Sequence, residues 1–226
     1  MSSLQGESYK QKNFKTFSRR SGKTLTNLSK TTLEEFLPIY TYSADKLDKS
    51  KYKQTFLEIG FGMGEHFVSQ VSNNKESLII GAEVFINGVA RTIKLLKNLQ
   101  ITNFLIWPDD VDILLEQIPD NSLDGIYILF PDPWPKRRDL QKRLVNSRRL
   151  ETMKKKLKNS GFISFASDID DYFLLVKKLF KNDSAFFLKN EDFDIPHDGY
   201  IMTKYHLKAK KEGREAQFIT AVLQKG

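Results

Sequence analysis

An apolar run that ends in an acid and then breaks into alternating glycines, Phe56 to Glu65, constrains the fold of this chain more than any other feature. Gly60, Gly62 and Gly64 follow Glu58 closely and suit a turn whose backbone approaches a ligand. Their spacing is not the G-x-G-x-x-G of the dinucleotide fold, and the wider turn fits a nucleoside thioether without a pyrophosphate. The pattern predicts a cofactor site at the end of the first strand of an α/β sheet.

From Gln54 onward, short apolar runs alternate with helical periodicity, which is typical of strand–helix–strand units around a largely parallel sheet. The 226 residues, 40% of them hydrophobic, are enough for one sizeable core. We expect strands at Thr55–Ile59, Leu78–Val84, Phe104–Trp107, Leu123–Phe130, Phe162–Ser167, Phe186–Lys189 and Ala216–Leu223. We expect helices at Leu33–Tyr40, Glu65–Ser72, Asn87–Leu99, Val111–Ile118, Arg143–Leu157 and Asp170–Lys181.

Residues 1–53 are predicted to be a basic, partly flexible arm that precedes a domain at 54–226. Among the first thirty residues only Glu7 opposes seven cations, and aromatic residues lie between the cations, as in segments that become ordered on nucleic acid. A disordered tail without function is the alternative. The net charge of +8 and pI near 9.4 favour a polyanionic partner, although a general surplus for solubility would give the same balance.

Zero cysteines exclude disulfides, iron–sulfur clusters and thiol nucleophiles. Three histidines are too few for a common zinc site unless carboxylates complete it, so we expect no metal. No apolar run is long enough to cross a membrane and no secretory signal opens the chain, so we expect a cytoplasmic protein without a membrane partner. The sequence leaves monomer and homodimer open.

Further carboxylates follow the next strands. Glu83 closes the second strand, where an acid accepts the hydroxyls of a ribose. Asp109 and Asp110 follow the third strand, where one could accept from an adenine amine and the other could cap the next helix. Asp132 stands between two prolines at the end of the fourth strand and is the strongest candidate for chemistry, although Pro-Asp-Pro could be only a turn.

An aromatic residue and many cations follow that acid. Trp134 could stack on a base or cover the core. The clustering of the cations indicates RNA binding, although about half of them should be ordinary solvated surface. They are Lys136, Arg137, Arg138, Lys142, Arg143, Arg148 and Arg149.

These residues resemble the bacterial tRNA (guanine-N7-)-methyltransferases, which are class I enzymes that use S-adenosyl-L-methionine. The likeness runs from about Phe56 to the C-terminus and is most specific at Phe130-Pro131-Asp132-Pro133-Trp134 and at Thr203-Lys204-Tyr205. It implies an α/β, Rossmann-like, mostly parallel seven-stranded sheet with an antiparallel last strand and helices on both faces. It also implies methyl transfer to N7 of a guanosine in the variable loop of tRNA.

Carried over position by position, the resemblance makes Asp132 a catalytic and cofactor-binding residue. It assigns the cofactor to Glu58, Gly60, Gly62, Gly64, Glu83, Asp109 and Asp132. Asp109 is preferred to Asp110 because the stretch from Asp109 to Leu123 aligns with the family pattern without a gap. The resemblance also assigns contacts with the target guanosine to Lys136, Asp168, Thr203, Lys204, Tyr205 and His206. From the residues alone, Asp168 could instead be only an N-cap for the helix that follows.

Two positions depart from the family. His206 stands where many members have a Glu, and a neutral imidazole brings no fixed negative charge. Asp139-Leu140-Gln141 replaces the usual His-His-Lys and reduces the local positive charge. The expected chemistry needs no strong base, because guanine N7 already presents a lone pair. Positioning is then the catalytic task, with Asp132 or Asp168 accepting from guanine N1–H and N2–H, and with Phe61, Met63 and Trp134 as a candidate apolar wall.

Two hypotheses of other classes compete. A small-molecule methyltransferase would share Glu58 and Glu83 but would not need the basic arm. A non-catalytic RNA-binding module would not need Asp132.

Overall fold

The computed structural model describes residues 18, 20–22, 24–48, 50–189 and 192–225. Seven strands form one sheet: β1 Gln54–Ile59, β2 Ser77–Ala82, β3 Phe104–Trp107, β4 Leu123–Leu129, β5 Leu157–Ser167, β6 Phe186–Leu188 and β7 Gln217–Leu223. The helices are α1 Asn27–Tyr40, α2 Glu65–Asn73, α3 Ile86–Asn98, α4 Val111–Gln117, α5 Ser147–Lys156, α6 Asp170–Lys181 and α7 Lys204–Lys211. Short 3-10 turns lie at Ala44–Lys46 and Arg137–Lys142.

The strand order is β3-β2-β1-β4-β5-β7-β6. Strands β1 to β5 are parallel, and β7 pairs antiparallel with both β5 and β6. The predicted Rossmann-like fold with an antiparallel last strand is therefore confirmed. The order reverses between β1 and β4, and open α/β sheets bind ligands outside the carboxyl ends of the strands at such a point.

Alternation of side chains along the strands supplies two apolar layers. On one face, Leu57 and Ile59 of β1 join the cluster that contains Leu114 of α4 and Phe173 of α6. On the other face, Phe56 joins the cluster that includes α2 and α3 residues. Helices thus cover both faces, which explains why the central strands are apolar on both sides.

Most predicted elements begin and end within two residues of their observed bounds, and Phe104–Trp107 and Asp170–Lys181 match fully. The first helix begins six residues earlier than expected, at Asn27, because Thr26 caps it by accepting from the Ser29 N–H at 3.2 Å. Its apolar side chains pack against the α2–α3 layer. Residues 1–17 of the predicted arm lie outside the described residues.

Three further local features differ from the predictions. The fifth helix does not begin at Arg143: residues 137–142 form a 3-10 turn, and α5 begins at Ser147 because Asn146 caps it by accepting from the Arg149 N–H at 3.0 Å. Helix α7 was not predicted and is capped by Thr203. Strand β5 also begins five residues earlier than expected, at Leu157.

Candidate active site

A cavity of about 360 Å³ opens at the carboxyl ends of β1, β2, β3 and β4. This volume lies within the usual range for small-molecule sites, about 300 to 1,000 Å³. The predicted site residues among its lining are Gly60, Gly62, Glu83, Asp109, Asp132, Lys204 and Tyr205. Most of these residues come together because parallel strands bring the residues after them to one edge of the sheet.

The glycine loop has a backbone that other residues disfavour. Gly60, Gly62 and Gly64 have φ of 77°, 57° and 83°. Gly64 is the left-handed N-cap residue of α2 and does not line the cavity. A Cβ on Gly62 would lie 3.1 Å from the Tyr205 ring, so the loop and α7 meet at the mouth of the cavity.

Glu83 holds the glycine loop against the next strand. Its carboxylate accepts from the Gly62 N–H at 2.6 Å and from the Phe85 N–H at 2.8 Å. The residue is 8% exposed, and burial raises the pKa of this carboxyl despite the two backbone donors, while the charge of Asp132 raises it further. Glu83 is thus a buried acid that lines the cavity.

Glu58 lies outside the lining of the cavity. It shares the α2-facing side of β1 with Phe56, and its carboxylate accepts from His66 Nδ1 at 2.8 Å. His66 Nε2 lies 3.0 Å from His197 Nε2, and His197 Nδ1 lies 2.9 Å from the Ser164 hydroxyl. This polar chain joins Glu58 on β1 to Ser164 on β5, and Glu58 is not among the residues that line the cavity.

The two acids after β3 have separate roles. Asp110 caps α4 by accepting from the Asp112 N–H at 2.8 Å, and burial raises the pKa of Asp110. Asp109 is half-exposed, lines the cavity and pairs with Arg20 at 2.9 Å. Both acids line the cavity, and Asp110 is the one that caps α4.

Ser18 lines the cavity, and Arg20 bonds to Asp109, another lining residue, which the sequence did not indicate. The Ser18 hydroxyl donates to Asp132 Oδ2 at 3.1 Å, and Arg20 bridges to Asp109. The Gly22 N–H donates to the Asn87 side chain at 2.9 Å. Nothing in the local sequence signals these contacts, because each joins residues more than sixty positions apart.

The residues assigned to the guanosine divide into two groups. Lys204 and Tyr205 line the cavity, and burial together with Glu83 and Asp132 raises the pKa of Tyr205. Asp168 accepts from Arg214 Nε at 2.7 Å, and α6 is capped at Ile169, so the N-cap alternative for Asp168 is wrong. Asp168 and the remaining three lie outside the lining: Thr203 is the N-cap of α7, Lys136 is exposed, and His206 packs among aromatic rings.

His206 is bonded to its own domain. Its Nδ1 lies 2.9 Å from the Tyr200 hydroxyl, and its ring centroid lies 5.7 Å from those of Phe130 and Phe218. Burial and Lys210 lower the pKa of His206, so the imidazole is neutral at pH 7.

The expected apolar wall is partly different. Trp134 lines the cavity, whereas Phe61 is buried against Phe67 with ring centroids 4.9 Å apart. Met63 is not part of the lining. The apolar lining includes Val84, Phe85 and Phe130, whose contribution the sequence did not indicate.

Several cations of the predicted RNA-binding cluster are paired within the protein. Asp112 accepts from Arg148 and from Arg149, each at 2.6 Å. Arg143 is buried against Asp171. Lys136, Arg137 and Arg138 remain exposed on the surface beside Asp132.

Within the described ranges, no group of three histidine or acidic side chains is arranged to hold a metal ion. In the same part of the chain, no helix is both long enough and apolar enough to span a bilayer.

Comparison with known proteins places this geometry in a family. Residues 52–219 match a family described as "Putative methyltransferase". The chain is 48% identical over 206 residues to a bifunctional methyltransferase of Rickettsia conorii, covering 91% of the chain and 39% of that relative. It is 35% identical over 207 residues to a tRNA (guanine-N(7)-)-methyltransferase of Wolbachia pipientis, covering 90% and 89%. The chain thus spans about two fifths of the length of the bifunctional relatives.

Solved structures agree on the fold. The 16S rRNA methyltransferase KamB matches with a TM-score of 0.59 at 14% identity, covering 80% of this chain and 92% of that one. An rRNA methylase from Streptococcus thermophilus matches with a TM-score of 0.53 at 11% identity, covering 80% and 94%. At these identities the likeness concerns the fold alone.

Proposed function

Because the chain belongs to the tRNA (guanine-N(7)-)-methyltransferase family, we propose that it transfers a methyl group from S-adenosyl-L-methionine to N7 of a guanosine in the variable loop of tRNA. One observation carries the proposal. Acids that follow three strands, Glu83, Asp109 and Asp132, line one cavity beside a glycine loop, with exposed cations at its rim.

The residues present fit the methyl donor. Buried Glu83 offers carboxylate oxygen to ribose hydroxyls, and Asp109 is placed to accept from an adenine amine. Positive-φ glycines leave room for the backbone to approach the ligand. When bound, the sulfonium supplies an electrophilic methyl group.

Glu58 has a different role in this proposal. Its carboxylate is occupied by His66, so the residue contributes by fixing the end of β1 and the start of the glycine loop. We propose that Glu58 acts on the cofactor site through this support, and that backbone atoms of the loop make the contacts.

On the guanosine side, Asp132 is exposed at the cavity mouth and already accepts a hydroxyl hydrogen bond from Ser18. Guanine N1–H and N2–H are donors of the same kind, and a carboxylate there orients N7 and stabilises the positive charge that develops on the ring. Tyr205 and Trp134 lie at the same cavity and offer planar faces for a purine. These side chains also exclude water from the reacting atoms.

RNA binding is assigned to the exposed cations. Lys136, Arg137 and Arg138 follow Asp132 directly, and the arm brings Arg20 to the rim. Such residues bind phosphates without reading bases, while a guanosine from a loop is identified in the pocket. Asp168 would reach the base only by exchanging its bond with Arg214.

The test is incubation of the protein with methyl-labelled S-adenosylmethionine and bulk tRNA, followed by borohydride–aniline cleavage at the modified base. We expect label in tRNA and cleavage at one guanosine in the variable loop. Label that appears only in low-mass products would support a small-molecule methyltransferase instead. Absence of cofactor binding by isothermal titration would support a non-catalytic RNA-binding module.

A substitution tests whether catalysis needs the carboxylate of Asp132. Asp132→Ala should lower the turnover number at least about a hundredfold, because it removes an orienting and electrostatic group. Asp120→Ala is the matched control, since Asp120 lies in a turn where it pairs with Lys156 away from the cavity. Near-normal turnover of the Asp132 variant would remove this residue from catalysis.

A further inference from the structure

The segment that carries Asp132 has an unfavourable backbone at both ends. Phe130 has φ of 52° and Trp134 has φ of 43°, in the left-handed region that bulky residues rarely adopt. Such residues are strained and persist only when surrounding structure holds them in place. Pro131 and Pro133 restrict φ between them but supply no N–H to anchor the loop.

Arg143 holds this loop through a hydrogen bond to its backbone. It is 2% exposed, its Nε–H donates to the Pro133 carbonyl at 2.8 Å, and its Nη2 donates to Asp171 at 2.6 Å. The guanidinium carbon lies 4.6 Å from the centre of the Tyr172 ring. Arg143 thus joins the residue after Asp132 to the first turn of α6.

These contacts remove Arg143 from the RNA-binding surface. A phosphate ligand must be accessible, whereas Arg143 is buried and its charge is already paired. Burying a guanidinium is costly unless its donors are satisfied, and here two separate partners use them. We infer that Arg143 is a positioning residue, which holds the Pro131–Pro133 loop through the Pro133 carbonyl and so fixes Asp132 at the cavity.

This inference rests on the proposed function for its kinetic consequence. Arg143→Lys keeps a cation for Asp171 but loses the planar fork that serves both acceptors. Because a displacement of about 1 Å at a catalytic group is costly, we expect the turnover number to fall about ten- to hundredfold. The KM for tRNA should stay within about twofold, since the exposed cations are unchanged.

Two further variants separate positioning from folding. Lys154→Met removes an ion pair of 2.6 Å to Asp183, remote from the cavity, and should leave turnover unchanged. Asp171→Asn keeps the Arg143 bond to Pro133 and should lower turnover less than about threefold. Equal losses in Arg143→Lys and Asp171→Asn would overturn the inference, because the ion pair rather than the loop contact would then matter.

A double-mutant cycle provides a readout that a purely structural role would not move. If Arg143 acts through Asp132, Arg143→Lys should change the residual turnover of Asp132→Ala less than about twofold. If Arg143→Lys lowers turnover by the same ten- to hundredfold in the wild-type and the Asp132→Ala protein, Arg143 does not act by positioning Asp132.

A final measurement does not depend on activity. In a Trp107→Phe background, acrylamide quenching of fluorescence reports Trp134, and Arg143→Lys should raise the quenching constant about twofold, whereas Lys154→Met should not. If the wild-type protein methylates no tRNA, the proposed function fails, while the quenching still decides whether Arg143 holds the loop. Unchanged quenching would overturn the inference whatever the activity.

Discussion

The polar chain from Glu58 through His66 and His197 to Ser164 makes a quantitative prediction about stability and pH. Burial and the neighbouring His66 lower the pKa of His197 to about 3. In the unfolded chain a histidine has a pKa of about 6.5. Between these two values the unfolded state binds more protons than the folded state, so stability falls as the pH falls from about 7 toward 3.

The magnitude follows from the two pKa values. Full linkage gives about 2 kcal/mol of lost stability between pH 7 and pH 5, at 1.36 kcal/mol for each pKa unit. Because His197 is only partly buried, we expect about 1–2 kcal/mol. The titratable groups that face it are His66 and, at ring distances of 4.8 and 5.6 Å, Tyr127 and Tyr200; Glu58 lies beyond His66.

The assay is urea unfolding followed by circular dichroism at pH 7 and pH 5, on the wild-type protein and His197→Gln. A glutamine can bond to Ser164 and to His66 but does not titrate. The variant should lose about 1–2 kcal/mol less than the wild-type protein between these pH values. Between pH 7.5 and 8.5, where His197 is neutral in both states, the two proteins should change equally. Equal losses at pH 5 would refute the assignment of a neutral, partly buried His197.

Three more predictions concern the cavity and its rim. Burial raises the pKa of Glu83, so the binding of S-adenosylmethionine should begin to weaken above the usual glutamate pKa of about 4.3 as the pH falls. The Glu83→Gln variant should bind the cofactor weakly and with little pH dependence, as measured by isothermal titration. Gly62→Ala should weaken cofactor binding about tenfold, because the new Cβ would be strained and would lie 3.1 Å from the Tyr205 ring. Gly213→Ala is the control, since Gly213 also has a positive φ, 69°, but open space around it. Equal losses in the two variants would contradict the need for close approach of the backbone at Gly62. The affinity for tRNA in filter binding should fall steeply between about 50 and 200 mM salt, as expected when several phosphates are neutralised, and a flat profile would oppose the cationic rim.

The position of the site could be predicted from the sequence because strands and the turns after them are local patterns. Glu83 and Asp132 each follow an apolar run, and parallel strands end at one edge, so their convergence needs only the topology. The sequence did not decide which of Asp109 and Asp110 caps α4. Only the geometry of the α4 N-terminus assigned the cap to Asp110.

The cations illustrate what composition cannot distinguish. Arg137, Arg143 and Arg149 stand in one basic stretch, yet the first is exposed and the other two are paired with distant acids. The helix predicted at Arg143 failed for a related reason. Arg and Lys favour helices, but the turn at 137–142 and the Asn146 cap place the start of α5 four residues later.

By itself the sequence determined the order of the strands and of the first six helices, the glycine turn and the acids at strand ends, because these depend on hydrophobic period and backbone preference within a few residues. Only the tertiary structure decided which charges are available. Glu58 is bound by His66, Asp168 by Arg214 and Arg143 by the loop and α6, and each partner comes from another segment of the fold. A charge loses its availability when a distant group satisfies it, and that proximity exists only after the chain has folded.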